Sequence, residues 1–303
     1  MGGHIGVGFV LQPEFDFLEL VGPIVGELAD YFEIAPETTW WANEDGTLTS
    51  NAFAEAFAAL GRKFAPANAE SKPFVAHGVG LSLGGAHPQD RPRQQQWLRK
   101  LEEEQRRFAF CWLSDHLAVT CIGGEALALP LPLMPSPAIA ALVRRRLAEL
   151  MHIAPAIAIE NTAHYFTYGD PLEETELIAG VLELPGCHLL LDLYNLAMMA
   201  HNMGFASRDF LARLDLSRVI EIHIAGGSPS PPEWLPSGRS YLVDSHEQVV
   251  PDVVWSLLEE VLPRCSSLCG ITLERMEGTV QASDLPLIEA DLRRLRTIAQ
   301  AGR

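Results

Sequence analysis

The chain has 303 residues, 48% of them hydrophobic, with Gly and Pro spread along its length. That composition belongs to a globular protein, not to a disordered or fibrous one. Its 22 basic and 39 acidic residues give a formal net charge of -17, a surface that repels phosphate backbones and excludes general nucleic-acid binding.

The amino-terminal ten residues, MGGHIGVGFV, lack a basic region followed by a long apolar core. They read as a strand over residues 5–9, not as a signal peptide. A second strand is predicted over 31–34. A helix follows over 53–60, with Phe53, Phe57 and Leu60 on one side and Gly61 ending the pattern. Strands are predicted over 74–76 and 108–113. Residues 123–137, rich in Pro and Leu, read as a long loop. In the helix over 138–150, Ile139, Leu142, Val143, Leu147 and Leu150 share a side. Arg144 and Arg145 lie opposite, a solvated face rather than a basic site. Further strands fall at 156–159, 188–191, 219–222 and 270–273. A Gly-, Ser- and Pro-rich loop spans 226–239, and helices are predicted over 252–262 and 285–298.

Eight short apolar runs alternating with helical stretches predict a parallel α/β fold in one domain over residues 1–303. The expected form is a closed (β/α)8 TIM barrel, although a doubly wound open sheet uses the same alternation. No segment offers the roughly 18 uninterrupted apolar residues of a membrane span, so no membrane role is expected. Five scattered cysteines, with Cys265 and Cys269 lacking a second pair, argue against a zinc knuckle and fit a reduced cytoplasmic setting.

The ends of six predicted strands carry the chemistry. His77, His116, Glu160, Asp192, His223 and Glu274 stand at or just after them, and Asp244 and His246 follow the second long loop. In a barrel, strand ends face one cup. Burying several carboxylates together is costly unless cations neutralise them. Four carboxylates and four imidazoles suit more than one ion of Fe, Mn or Zn. Glu160, Asp192 and His223 are the expected catalytic centre, with Asn195 as a further ligand or orienting group. His164 and the pair His201-Asn202 are further candidates near the cup. His87, His152 and His188 read as structural or surface residues. Rival motifs fail. The run His77-Gly-Val-Gly-Leu-Ser-Leu-Gly-Gly85 has neither dinucleotide-binding spacing nor the Lys-Ser/Thr of a phosphate loop, and no Gly-x-Ser-x-Gly elbow occurs.

The same residues carry a family resemblance. The ordered strings are His77-Gly-Val-Gly-Leu-Ser-Leu-Gly-Gly85, Ser114-Asp-His-Leu117, Glu160-Asn161, Leu189-Leu-Leu-Asp-Leu-Tyr-Asn195, Asn202-Met-Gly204, Glu221-Ile-His-Ile-Ala-Gly226, Val243-Asp-Ser-His246, Val253-Val-Trp255 and Leu273-Glu-Arg275. With them the sequence resembles the multinuclear non-heme iron-dependent oxidative enzymes, a family that includes the methanobactin biosynthesis oxidase. The resemblance implies a barrel similar to xylose isomerase that holds two or three irons of mixed Fe(II)/Fe(III) state. It implies dioxygen as co-substrate, a precursor peptide modified at a side chain such as Cys, Asp or Asn, and a small leader-binding partner protein in a heterodimer. It places ligands at His77, His116, Glu160, Asp192, His223, Asp244, His246 and Glu274. The chain departs from the family pattern in four places. Asp115 stands for a usual Glu, Tyr194 for the first of two Asn, and Gly227 for a usual His. Residues 32–37 are only similar to the usual Glu-Val-x-x-Glu-Asn. Two other functions remain compatible with the strand-end residues: a divalent-metal sugar isomerase or phosphoesterase, and a non-catalytic peptide-binding protein.

Overall fold

A computed structural model describes residues 5–43 and 45–301; Met1–His4, assigned above to the amino-terminal segment, lie outside them. Eight parallel strands close into a barrel: β1 (Gly6–Leu11), β2 (Tyr31–Ile34), β3 (Phe74–Gly78), β4 (Leu113–His116), β5 (Ile157–Glu160), β6 (Cys187–Asp192), β7 (Val219–Ile224) and β8 (Gly270–Leu273). Each pairs with its chain neighbours, and β1 closes the circle against β8. An open doubly wound sheet would leave two edges, and this one has none.

The helices pack outside: α1 (Phe15–Leu28), α2 (Ala52–Lys63), α3 (Asp90–Phe108), α4 (Pro137–Leu150), α5 (Glu174–Leu182), α6 (Leu193–Met203), α7 (Ser207–Arg213), α8 (Asp252–Val261) and α9 (Leu285–Ala301). The apolar stripes expected for α2, α4, α8 and α9 face the main core, where Phe57, Val143, Leu258 and Leu292 are fully buried.

Three expectations need correction. The fourth strand begins at Leu113, not at residue 108. Phe108 is the last residue of α3, and Ala109 beyond it adopts a left-handed φ of 50°, which ends the helix. Phe110 and Trp112 are buried in the lead-in rather than in a strand. Gly61 does not end its helix, which continues to Lys63; the ring of Phe74 packs so close that a Cβ at 61 would lie 2.5 Å from it. Residues 123–137 are not one loop. Val119–Ile122 and Glu125–Leu131 form an antiparallel hairpin. Gly123 and Gly124, both at positive φ, form its two-residue turn.

Inside the barrel, Tyr31 fills the lower centre because β1 and β8 offer glycine there. A Cβ at Gly8 would lie 2.4 Å from its ring, and one at Gly270 would lie 2.3 Å from its hydroxyl. Below the cup, Glu221 is fully buried and accepts hydrogen bonds from the hydroxyl of Tyr31 (3.0 Å), the hydroxyl of Thr272 (2.6 Å) and the indole N–H of Trp112. This polar floor supports the residues above it.

Candidate metal centre

Side chains alternate across a strand, so residues two apart on one strand share the barrel interior. One step above the floor, seven of the eight strands present an ionisable group: Glu33, His77, His116, Glu160, Asp192, His223 and, just past the end of β8, Glu274. Asp244 and His246 enter from the loop after β7. All nine line one cavity except His223, whose ring lies beneath it in contact with the same carboxylates. The cavity has a volume of about 230 Å³. The structure therefore brings together all eight expected metal ligands and Asn195, and it adds Glu33.

The contacts are short. His116 Nε2 lies 3.0 Å and His77 Nε2 3.5 Å from Glu160 Oε2. His223 Nδ1 lies 3.3 Å from Glu274 Oε2 and 4.0 Å from Asp192 Oδ2. His246 Nε2 lies 2.5 Å from Asp244 Oδ1 and 3.8 Å from Glu274 Oε2. His77, Glu160 and His223 form one group whose ligand atoms all lie within 4.8 Å of one another, and Glu33, His223 and Glu274 form another.

Four of the donors are tethered on one side and turned to the cup on the other. Glu160 Oε1 accepts from the Asn195 amide at 3.2 Å, while its Oε2 faces the cup between His116 and His77. Asp192 Oδ1 caps α6 by accepting from the Asn195 backbone N–H at 2.6 Å, and its Oδ2 is unpartnered. Ser114 donates to the Ala76 carbonyl, so its oxygen accepts from His77 Nδ1–H at 2.9 Å and frees Nε2 for the cup. His223 Nε2–H lies against Glu33 at 2.9 Å, which turns Nδ1 toward Glu274 and the cup. A carboxylate behind an imidazole in this way fixes the tautomer that ligates a metal. Unsatisfied buried polar atoms are rare in folded proteins. Of those among the described residues, six gather at this one spot, close to one another but without well-formed hydrogen bonds: Glu160 Oε2, Asp192 Oδ2, Glu274 Oε2, Asp244 Oδ1, His223 Nδ1 and His246 Nε2. The donor set fits divalent or trivalent cations of the iron, manganese and zinc type.

The electrostatics agree. Burial, then the neighbouring Asp192 carboxylate, holds Glu160 well above the usual carboxylate range, and burial and Glu274 do the same to Asp192. Burial and Glu221 push Glu33 up to about 8, a rise that His223 opposes. For His223 burial acts downward, but Glu274 and Glu33 outweigh it and hold the imidazole well above its ordinary value. Carboxylates in this arrangement repel one another, and a bound cation reverses that repulsion.

The loop after β7 is pinned at several points. Asn202 exchanges two hydrogen bonds with the backbone of Leu242, and the Tyr194 hydroxyl donates to the Val243 carbonyl at 3.0 Å. Tyr165 Oη accepts from the Asp244 N–H at 3.1 Å. His246 then takes a positive φ of 51°, a conformation rare outside glycine, which the turn imposes while aiming the ring at Glu274. Two departures from the family pattern share this place. A Cβ at Gly227 would lie 2.5 Å from the Tyr194 hydroxyl and 2.1 Å from the Val243 carbonyl. The tyrosine and the carbonyl it holds occupy the space that a side chain at 227 would need.

Other candidates fall away from the cup. His201 is exposed on α6, and Asn202 serves the loop. His164 is buried beside Glu174 in a separate cavity of about 20 Å³. Both Glu174 carboxylate oxygens are unpartnered, and burial raises its pKa to about 8. Folding therefore favours the protonated acid. Its contribution is intact below the unfolded value near 4.5 and is lost as pH rises to about 8. Glu174→Gln is expected to raise stability by about 2–4 kcal/mol at pH 8 and by little at pH 4.5. Urea unfolding at the two pH values checks this; equal differences would remove Glu174 as the titrating group.

A closed eight-stranded barrel with buried His, Asp and Glu at the carboxyl ends of its strands defines a TIM-barrel enzyme with a candidate metal centre. A family model described as RiPP precursor modification enzyme MbnB/TglH/ChrH matches residues 24–300, and the chain belongs to that family, the multinuclear non-heme iron-dependent oxidative enzymes. A UPF0276 protein of Caulobacter vibrioides is 33% identical over 233 residues, covering 76% of this chain and 78% of the relative. Among solved structures, the IOLI protein with a bound zinc atom aligns with a TM-score of 0.61 at 14% identity, covering 99% of both chains. A xylose isomerase domain protein from Planctomyces limnophilus aligns at 0.55 and 13% identity, covering 99% of this chain and 98% of its own. These structural likenesses establish the xylose-isomerase-like fold.

Among the described residues, no helix is long and apolar enough to cross a membrane.

Proposed function

We propose that this protein is an iron-dependent oxidative enzyme that modifies a side chain of a ribosomally made precursor peptide. The observation that carries the reading is the set of buried carboxylate oxygens and imidazole nitrogens that crowd together, without well-formed hydrogen bonds, in the cup of a protein of this family. His77, His116, Glu160, Asp192, His223, Asp244, His246 and Glu274 would hold two or three irons in mixed Fe(II)/Fe(III) state. Bound iron supplies activation of dioxygen, the co-substrate, and a Lewis-acid site for the substrate side chain.

The chain's own residues set the geometry. Asn195 holds Glu160 and, through its backbone, Asp192. Ser114 and Glu33 fix the tautomers of His77 and His223. Burial of the donors keeps water from competing for the reacting side chain. An anionic side chain, such as a Cys thiolate or an Asp carboxylate, suits a cavity whose cations favour the deprotonated form. The small leader-binding partner would present the peptide, and the free cysteines are compatible with a reduced, cytoplasmic setting.

The test uses anaerobically iron-loaded protein, oxygen, and the short peptide encoded beside its gene. Oxygen uptake with a mass change in the peptide is the expected result. Loss of that mass change in Glu160→Ala would tie it to the cup. An unchanged peptide, or a zinc or manganese form active on a sugar or phosphoester, would replace this reading with another.

A further inference from the structure

The hairpin of Val119–Ile122 and Glu125–Leu131 stands apart from the barrel as its own two-stranded sheet. Its longer strand pairs with one neighbour, so among the described residues its other edge carries no strand. That strand reads Glu-Ala-Leu-Ala-Leu-Pro-Leu and is exposed or half-buried throughout, with Leu129 55% exposed. Natural proteins guard open edges with charge, proline or a covering element. Here Glu125 and Pro130 bracket Ala126 to Leu129, and a register shift opposite Thr120 leaves residues 127–129 without register partners on the hairpin's first strand.

The position of this edge identifies what covers it. Residues 126–130 form one wall of a groove of about 700 Å³, with Trp40, Arg93 and Trp97 among the residues opposite. The groove and the cup share Val79 and His116. The His116 side chain, which lines both, is 19% exposed, so the cup has an opening toward the groove; Asp244, 24% exposed, marks another on the side of the loop after β7. On its other flank Leu129 borders an apolar cavity of about 440 Å³ that includes Tyr165, Trp234 and Tyr241. A peptide whose side chain reaches the cup past His116 would run along this wall.

We infer that an extended segment of the precursor peptide binds as a third strand on the free edge at residues 126–129, with a large apolar side chain close to the modified residue seated against Leu129 and Trp234. The inference rests on the proposed function and narrows its substrate class to peptides that carry an aliphatic or aromatic residue near the target. Main-chain hydrogen bonds would supply affinity, and the apolar cavity would supply selectivity.

The test is amide hydrogen exchange on the full metal-loaded chain, kept anaerobic, with and without the peptide encoded beside its gene. Slowing of exchange across residues 126–129 by about five-fold or more is expected. In turnover, Leu129→Arg and Trp234→Ala should raise KM for the peptide about ten-fold or more, with kcat within about two-fold and metal content unchanged. A peptide that is modified but leaves this edge unprotected overturns the inference and leaves the proposed function standing. A peptide neither modified nor protective overturns both. Protection that needs only the partner protein, without the peptide, also overturns the inference.

Discussion

His223→Ala is expected to abolish turnover and to lower iron affinity by more than the roughly 10–100-fold that losing an orienting partner alone costs. His223 is the hub of the cup. Its Nδ1 faces Glu274 at 3.3 Å and Asp192 at 4.0 Å, its Nε2 bonds Glu33 at 2.9 Å, and its ring meets His77 edge-on at 5.0 Å. It belongs to both groups of mutually close donor atoms. Removing it takes away one ligand and also strips three buried carboxylates of their nearest imidazole. An uncompensated buried charge costs about 3–5 kcal/mol, so the metal-free variant should melt at a lower temperature. Glu33→Gln separates the two effects: it keeps the imidazole but weakens the bond that sets its tautomer. Iron affinity should then fall by about 10–100-fold with a smaller loss of stability. Metal titration beside thermal unfolding of each metal-free variant checks this. Unaltered iron binding in His223→Ala would remove it from the centre.

The second large effect lies on the barrel floor. Glu221→Ala is expected to cost about 3–5 kcal/mol of stability, since it leaves Tyr31, Thr272 and Trp112 pointing donors into a cavity. Tyr31 adds to the loss, because it packs directly against Gly8 and Gly270 and edge-on against Trp112, contacts that a displaced ring would disturb. Glu221 Oε1 also lies 3.8 Å from His223 Nε2, so the floor helps place the hub. Urea unfolding measures the loss; a change below about 1 kcal/mol would mean the network is not structural.

Seven of the eight barrel strands were legible in the sequence, because each is a short apolar run and its neighbours in sequence become its neighbours in the sheet; the fourth, Leu-Ser-Asp-His, is not apolar, and the run before it took its place. The strand-end donors were legible for a related reason: period-two alternation carries every last inward side chain to one cup. Glu33 was overlooked although its signal was present, a lone acid within the four buried residues of β2. The same holds for Glu221, which shares an inward face with His223 in Val-Ile-Glu-Ile-His-Ile. Helix α3 escaped because its 19 residues are mostly charged or amide, with few apolar positions to show a period. Helix α6 escaped for the opposite reason, since nearly all of it is buried and no polar face marks its turns. The hairpin was read as a loop because Pro and Leu composition outweighed the Gly-Gly turn at its tip. The crowding of Tyr194 over Gly227 depends on a loop fold that no local pattern encodes.

The most direct measurement is the iron retained per chain after anaerobic loading and removal of loosely held metal. Two or three ions per wild-type chain, falling below one when Glu160 and His223 are both replaced, is the outcome expected of donors that gather to neutralise their own charge. A chain that keeps no metal, or keeps as much after both replacements, would contradict that origin of the cup.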